Sequence, residues 1–171
     1  MRYNFAIRGL HKLIVLFVLI QFFIGFLFDF LFSRFYPAFF MTIHKSLGLT
    51  LLLLTILLII IRLSSKKVPY PKTMPFIQII LAKIVHLGLY LSLFTMSLSG
   101  FIAMQLFHSK WQYFYLFYVP NFLQVNTTLG REIFQIHQWA ALIFAGLVIL
   151  HTLAAFYHKY ACKDQIMKKM W

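Results

Sequence analysis

An all-α fold, a bundle of four membrane-crossing helices, is predicted by three features of the chain. Of its 171 residues 62% are hydrophobic and only three are acids, too little polar surface for a soluble domain of this size. The apolar residues gather into four blocks, 13–32, 39–61, 76–107 and 133–157, each long enough to cross a hydrocarbon core, which takes about 20 helical residues. The basic residues, finally, are spread unevenly around those blocks. A spanning chain must satisfy its backbone hydrogen bonds internally, so each block is expected as a helix. The arrangement leaves room for one domain, 1–171, and for no catalytic module outside the membrane.

The first block, LIVLFVLIQFFIGFLFDFLF, resembles a signal peptide only in its hydrophobicity. FDFLFSRFYP, which closes it, is too bulky for a cleavage site, so a permanent helix is expected. SRFYPAF (33–39) then makes a tight turn into the second helix. After that helix, RLSSKKVPYPKTMP (62–75) is a short basic turn in which Pro69, Pro71 and Pro75 prevent helix continuation. The third helix leads into the longest connection, HSKWQYFYLFYVPNFLQVNTTLGR (108–131). Its aromatic residues suit the depth of lipid headgroups, and it is expected to fold back over the bundle. The fourth helix completes the set. No internal repeat, low-complexity tract or phosphate-binding glycine loop occurs, and the single cysteine, Cys162, forms no internal disulfide.

With four spans, both termini share a side with the turn between the second and third helices. That side carries twelve of the 16 basic residues: Arg2, Arg8, Lys12, Arg62, Lys66, Lys67, Lys72, Lys83, Lys159, Lys163, Lys168 and Lys169. The other side holds Arg34, Lys45, Lys110 and Arg131. Such a bias predicts cytoplasmic termini. It also explains the net charge of +13 through topology and contact with membrane lipid rather than nucleic acid.

Histidines inside these apolar blocks are the candidates for chemistry, because ionisable groups at membrane depth are costly and usually functional. His137 lies about one turn into the fourth helix from its outer end, and His151 under two turns from its inner end. They are 14 residues apart, roughly 21 Å along the axis and within about 40° of one face. Two imidazoles so placed cannot share one metal ion, but each can hold one of two stacked cofactors. At the outer level the partner expected is His44 on the second helix, since a rigid span holds ligand geometry better than the loop that carries His108. At the inner level two candidates remain: His11 on the first helix and His86 on the third. Gly48, Ala141 and Ala155 each follow a candidate histidine by four residues, offering a shallow notch on the same face.

No CxxCH motif is present, which excludes covalent c-type attachment. Zinc wants three or four converging ligands, commonly with cysteine or carboxylate. Asp29, Glu132 and Asp164 form no such cluster along the sequence, and no zinc site is expected. Facing histidines suit the two axial positions of haem iron. The expectation is two noncovalent b-type haems, each with both axial positions filled, their irons roughly 20 Å apart along the membrane normal.

This pattern resembles the bacterial cytochrome b561 family of small four-helix dihaem inner-membrane proteins. The matching stretches are IRGLHKLIVL, IHKSLG (43–48), HLGLY (86–90) and, most specifically, HQWAALIFAGLVILHTLAAFYHKYACKD (137–164). The resemblance implies His11 with His151 at the cytoplasmic haem and His44 with His137 at the periplasmic one. Gln138 in HQWAA departs from the acid often found there in the family, a change that can tune potential or a proton path. The resemblance also implies a carrier exchanging electrons with ubiquinone, and at least one member type is similar to a superoxide oxidase. Arg34, Lys45, Lys110 and Arg131 offset Asp29 and Glu132, leaving a slightly positive outer mouth for an anionic donor; Lys45 also suits a haem propionate. For a quinone and its protons, the inner groups available are His158, Tyr157, Lys83 and His86. Two other classes fit the same composition. A haem-bearing anchor subunit would pass electrons between a soluble dehydrogenase or hydrogenase and quinone, and would co-purify with that partner. A small non-redox transporter would lack haem, and the glycine-interrupted repeat pair that transporters carry is absent.

Overall fold

The computed structural model describes residues 2–28, 36–66, 68–71, 74–164 and 166–169. Asp29, Arg34, Lys67, Lys72 and the first part of the 33–39 turn lie outside the described residues. Four helices carry the chain: α1 (Phe5–Leu27), α2 (Pro37–Ser64), α3 (Phe76–Leu106) and α4 (Thr127–Tyr160). All four are long and apolar enough to cross a membrane. α3 begins where its apolar block does, whereas α1, α2 and α4 begin earlier; in α1 and α4 the early start is set by a side-chain cap rather than by hydrophobicity. The Asn4 side chain accepts from the backbone N–H of Ile7 at 2.8 Å, so α1 starts ahead of Arg8, His11 and Lys12. Asn126 does the same for Leu129 at 3.0 Å, adding the turn that precedes Arg131 and Glu132 to α4. Pro37 opens α2, where its missing N–H costs nothing.

The two termini meet. Tyr3 N–H donates to the Lys169 carbonyl at 3.1 Å, and Arg62 donates to the Tyr3 hydroxyl at 2.8 Å. The Lys169 ammonium donates to the Pro69 carbonyl at 2.6 Å. One end of the bundle therefore gathers both termini and the α2–α3 turn, as four antiparallel spans require. Burial at this end pushes the Tyr70 phenol above its ordinary pKa, with Tyr3 adding and Arg62 opposing. Burial also lowers the Lys169 ammonium, against the attraction of Asp164.

The core is a cluster of Ile7, Ile14, Val18, Leu51, Leu58, Leu93, Met96, Ala140 and Phe144. Outside it Leu19, Phe23, Leu53, Ile60, Leu91 and Leu153 are exposed, an apolar exterior that suits lipid. Helix hydroxyls turn inward to their own backbone: Thr55 donates to Leu51, Ser92 to Gly88 and Ser99 to Thr95, which lets them sit in an apolar span without an unmet donor. The helices do not pack evenly. α1 lies on α2, α2 on α3, and α3 along α4. Among the described residues, no Cα of α4 comes within 8 Å of a Cα of α1 or α2. Only side chains bridge that separation, including the Phe22–Phe144 ring pair at 5.7 Å.

The long α3–α4 connection folds back over the bundle as expected. Its centre is a two-stranded antiparallel hairpin, β1 (Gln112–Tyr113) with β2 (Phe117–Tyr118), seated against α2. Phe114 and Tyr115 at its turn adopt left-handed backbone conformations, φ 46° and 63°, which cost a non-glycine residue roughly 1–2 kcal/mol each. Contacts with α2 hold the turn in place. Ser46, wholly buried, donates to the Thr42 carbonyl at 2.8 Å and accepts from Phe114 N–H at 2.9 Å. Tyr113 and Thr50 share a hydroxyl hydrogen bond at 2.9 Å. Ser46→Ala is expected to destabilise the fold by about 1–3 kcal/mol through the unmet Phe114 N–H. Amide exchange should quicken in the hairpin; unchanged exchange there would show that Ser46 does not anchor it.

Candidate functional site

His44 comes from α2 and His137 from α4, and their rings stand edge to face with centroids 6.3 Å apart. They bridge the separation between α4 and the α1–α2 pair at the end away from the termini. Each ring is seated by a glycine on a neighbouring helix. A Cβ at Gly25 of α1 would lie 3.2 Å from His44 Cε1. A Cβ at Gly100 of α3 would lie 2.7 Å from His137 Nδ1 and 3.0 Å from its Cε1, so only glycine admits that ring as it stands. His137 Nδ1 is bonded to the Met96 carbonyl at 2.7 Å. That bond sets the tautomer, with the proton on Nδ1, and leaves Nε2 with the lone pair that a metal would need, as behind ligating imidazoles in general. Phe134 stacks on the same ring at 5.6 Å.

Gln21 of α1 donates to the His44 carbonyl at 2.8 Å and passes over Gly48, where a Cβ would be 3.3 Å from its amide nitrogen. The Gly48 notch, expected to receive a flat cofactor, is thus filled by a polar side chain that braces the backbone of His44. Lys45 turns away to the loop and donates to Ser109 at 3.1 Å. His108 lies in that loop at φ 53°, apart from the His44–His137 pair.

Near the termini, α4 presents His151. His86 of α3 meets it edge to face at 5.1 Å, and His11 of α1 is within electrostatic reach of both. The structure thus brings together all three inner histidines that the sequence nominated. They differ in setting: His86 is exposed and bonded to the carbonyl of Ala82 on its own helix. His11 and His151 are half-buried, and His11 Nδ1 is buried without a hydrogen-bond partner. The groups considered for a quinone divide between two helices, Lys83 and His86 on α3, Tyr157 and His158 on α4.

Histidines thus face one another at two depths, and α4 stands off from α1 and α2 at the backbone. Glycines make room for the outer rings, and one ring has its second nitrogen fixed by a carbonyl. This donor set and spacing fit a flat metallomacrocycle bound through axial imidazoles. A model of the family described as prokaryotic cytochrome b561 matches residues 2–171. The chain belongs to that family. It is also similar to a protein of Escherichia coli (strain K12) named cytochrome b561 homolog 2, 27% identical over 128 residues, covering 74% of this chain and 68% of that one. Membership of the cytochrome b561 family implies b-type haem and electron transfer across a membrane, and the four apolar helices agree with a multi-pass bacterial membrane protein.

Three features of this cytochrome escape a reading of its sequence. Gly25 and Gly100 are ordinary small residues of apolar helices until the fold sets a histidine ring on each. Gln21 reads as one polar residue in an apolar run. The third is a correction: a three-ligand cluster does exist. His158, Cys162 and Asp164 bring ligand atoms within 4.8 Å of one another. Sequence spacing concealed it because α4 ends in a reversal, with Lys163 in the left-handed region at φ 52°, that folds Asp164 back onto the last turn.

Proposed function

We propose that this cytochrome carries two b-type haems and moves electrons between ubiquinone and a donor on the opposite face of the bacterial inner membrane. Its termini lie in the cytoplasm, and its whole length forms one membrane domain. The observation that carries the proposal is the pair of histidine levels at opposite ends of α4. His44 with His137 would hold the haem distant from the termini, and His11 with His151 the haem near them. Bound there, haem would supply reversible one-electron chemistry. The residues do the rest. Gly25 and Gly100 let the outer rings approach, Met96 fixes the His137 tautomer, and the core residues Phe144 and Met96 help exclude water between the two levels.

His11 is preferred over His86 at the inner level because a ligand must face the bundle interior, whereas His86 is exposed. From the exposed side, His86 against His151 supplies a protonatable group beside the inner site. With Lys83 it would serve a quinone entering from the lipid between α3 and α4, and Tyr157 and His158 lie on the other wall. At the far face Arg131, Lys110 and Lys45 favour an anionic donor, and superoxide is the one proposed. The overall conversion would then be superoxide to oxygen with reduction of ubiquinone.

A reduced-minus-oxidised spectrum with a haem-to-chain ratio tests the core of this reading, and two b-type haems per chain are expected. His11→Ala should remove the haem near the termini, whereas His86→Ala should retain both haems and slow quinone reduction by about 10-fold or more. Loss of a haem in His86→Ala, with both retained in His11→Ala, would reverse the inner assignment. Failure of the isolated protein to reduce quinone, with activity restored by a co-purifying dehydrogenase or hydrogenase, would move it to the anchor-subunit class.

A further inference from the structure

The end of α4 carries a group of side chains that haem binding does not require. His158 is the third residue from the end of the helix, and the chain then reverses over Ala161–Asp164. Ala161 N–H and Cys162 N–H both donate to the Tyr157 carbonyl, at 2.9 and 3.1 Å, and Asp164 N–H donates to the His158 carbonyl at 3.1 Å. Lys163, left-handed at φ 52°, makes the turn that sends the chain back. The reversal delivers three different donor types to one point. His158 Nδ1 is 2.6 Å from a carboxylate oxygen of Asp164, both side chains largely buried. The second carboxylate oxygen accepts from Ile166 N–H at 2.9 Å, which fixes the carboxylate plane. Cys162 is exposed.

We propose that His158, Cys162 and Asp164 form a zinc-binding site at the termini-bearing end of the bundle. One imidazole, one thiolate and one carboxylate are the ligand types zinc takes, and three protein ligands leave a fourth tetrahedral position for water. Thiolate selects against magnesium and calcium, which prefer all-oxygen shells. The ligand atoms already lie within 4.8 Å of one another. Bonds of about 2.0–2.3 Å to a common ion ask the sulfur to close by roughly 1 Å, within reach of side-chain rotation for the exposed cysteine, and the imidazole–carboxylate pair, now 2.6 Å apart, to open by roughly 1 Å or less. Charge also balances. The surrounding lysines, Lys159, Lys163, Lys168 and Lys169, would repel a bare dication, but thiolate and carboxylate together cancel its charge. Binding replaces the His158–Asp164 hydrogen bond and releases the protons of the thiol and of the imidazole if charged. The site does not rest on the haem or quinone reading. If His158 does supply protons to quinone, the metal would occupy that group.

Because Cys162 is the chain's single cysteine, thiol chemistry reports on the site directly. The experiment alkylates the intact haem-loaded protein in nanodiscs with a maleimide, with and without zinc ion, and follows bound zinc by elemental analysis. Zinc is expected to slow alkylation of Cys162 at least 10-fold, at one ion per chain, and magnesium to leave it unchanged. Asp164→Asn and His158→Gln should each abolish the protection while haem content stays at the parent level. X-ray absorption at the zinc edge should show one sulfur at about 2.3 Å with lighter ligands at about 2.0 Å. Protection that persists in both variants, a zinc shell without sulfur, or an alkylation rate indifferent to zinc would each overturn the proposal. None of these outcomes bears on the number of haems.

Discussion

His137→Ala is expected to leave the protein with one haem instead of two and to stop electron transfer between the two faces. The reason lies in what His137 alone does. It is the α4 half of the outer pair, its ring centroid 6.3 Å from that of His44, and its Nδ1 is the nitrogen held by Met96. Alanine removes the proposed haem ligand together with the ring that spans the separation between α4 and α2. Loss of a partner one shell further out commonly costs 10–100-fold in metal affinity, so loss of the ligand itself should weaken haem binding by at least about 100-fold. Pyridine haemochrome analysis should give one haem per chain. The remaining haem should still be reduced chemically by dithionite, while transfer across proteoliposomes falls to background. His108→Ala should change neither quantity, because His108 lies in the loop outside the pair. Two haems retained in His137→Ala would remove His137 from the ligand set.

The second large effect is expected from Gly100→Ala, a substitution that a reading of composition would rank as harmless or helpful, since alanine favours helix over glycine by about 1 kcal/mol. Here the added carbon would sit 2.7 Å from His137 Nδ1 and 3.0 Å from Cε1, closer than atoms tolerate. The imidazole must swing, and with it goes the Met96 hydrogen bond that fixes the tautomer. Overpacking of this kind costs about 1–3 kcal/mol in stability, and disturbing the support of a ligand costs about 10–100-fold in affinity. The expected result is loss of the haem distant from the termini, with the other kept. Gly146→Ala is the control: a Cβ there meets nothing within 4 Å, so it should retain both haems and melt no lower than the parent. Equal haem content in the two variants would show that the His137 ring does not depend on its seat at Gly100. Gly25→Ala should fall between them, because the approach to His44 Cε1 is 3.2 Å and the ring can yield by a few tenths of an ångström.

These two expectations come from different layers of the molecule. The histidine effect is legible in the sequence: an imidazole inside an apolar span is expensive, and a 14-residue interval returns to nearly the same helix face. Gly100 becomes legible only in three dimensions. Along the chain it is one of seven glycines, and nothing local distinguishes it from Gly146. What separates them is a ring on another helix, and sequence periodicity carries no information about which helix lies opposite.

The sequence by itself determined the four apolar helices, the sharing of one end by both termini, and the depth of each histidine, because those depend on helical rise, hydrophobic length and charge. It nominated the outer pair for the same reason. Tertiary structure alone decided that α4 packs on α3 and stands away from α1 and α2, and that His86 is exposed beside His151. It alone set two glycines beneath the outer rings. It also decided that the end of α4 folds back, so that a histidine, a cysteine and an aspartate scattered over seven positions converge. Contacts between helices and the direction of a reversed chain end depend on packing partners and on a few backbone angles, and neither leaves a period in the sequence.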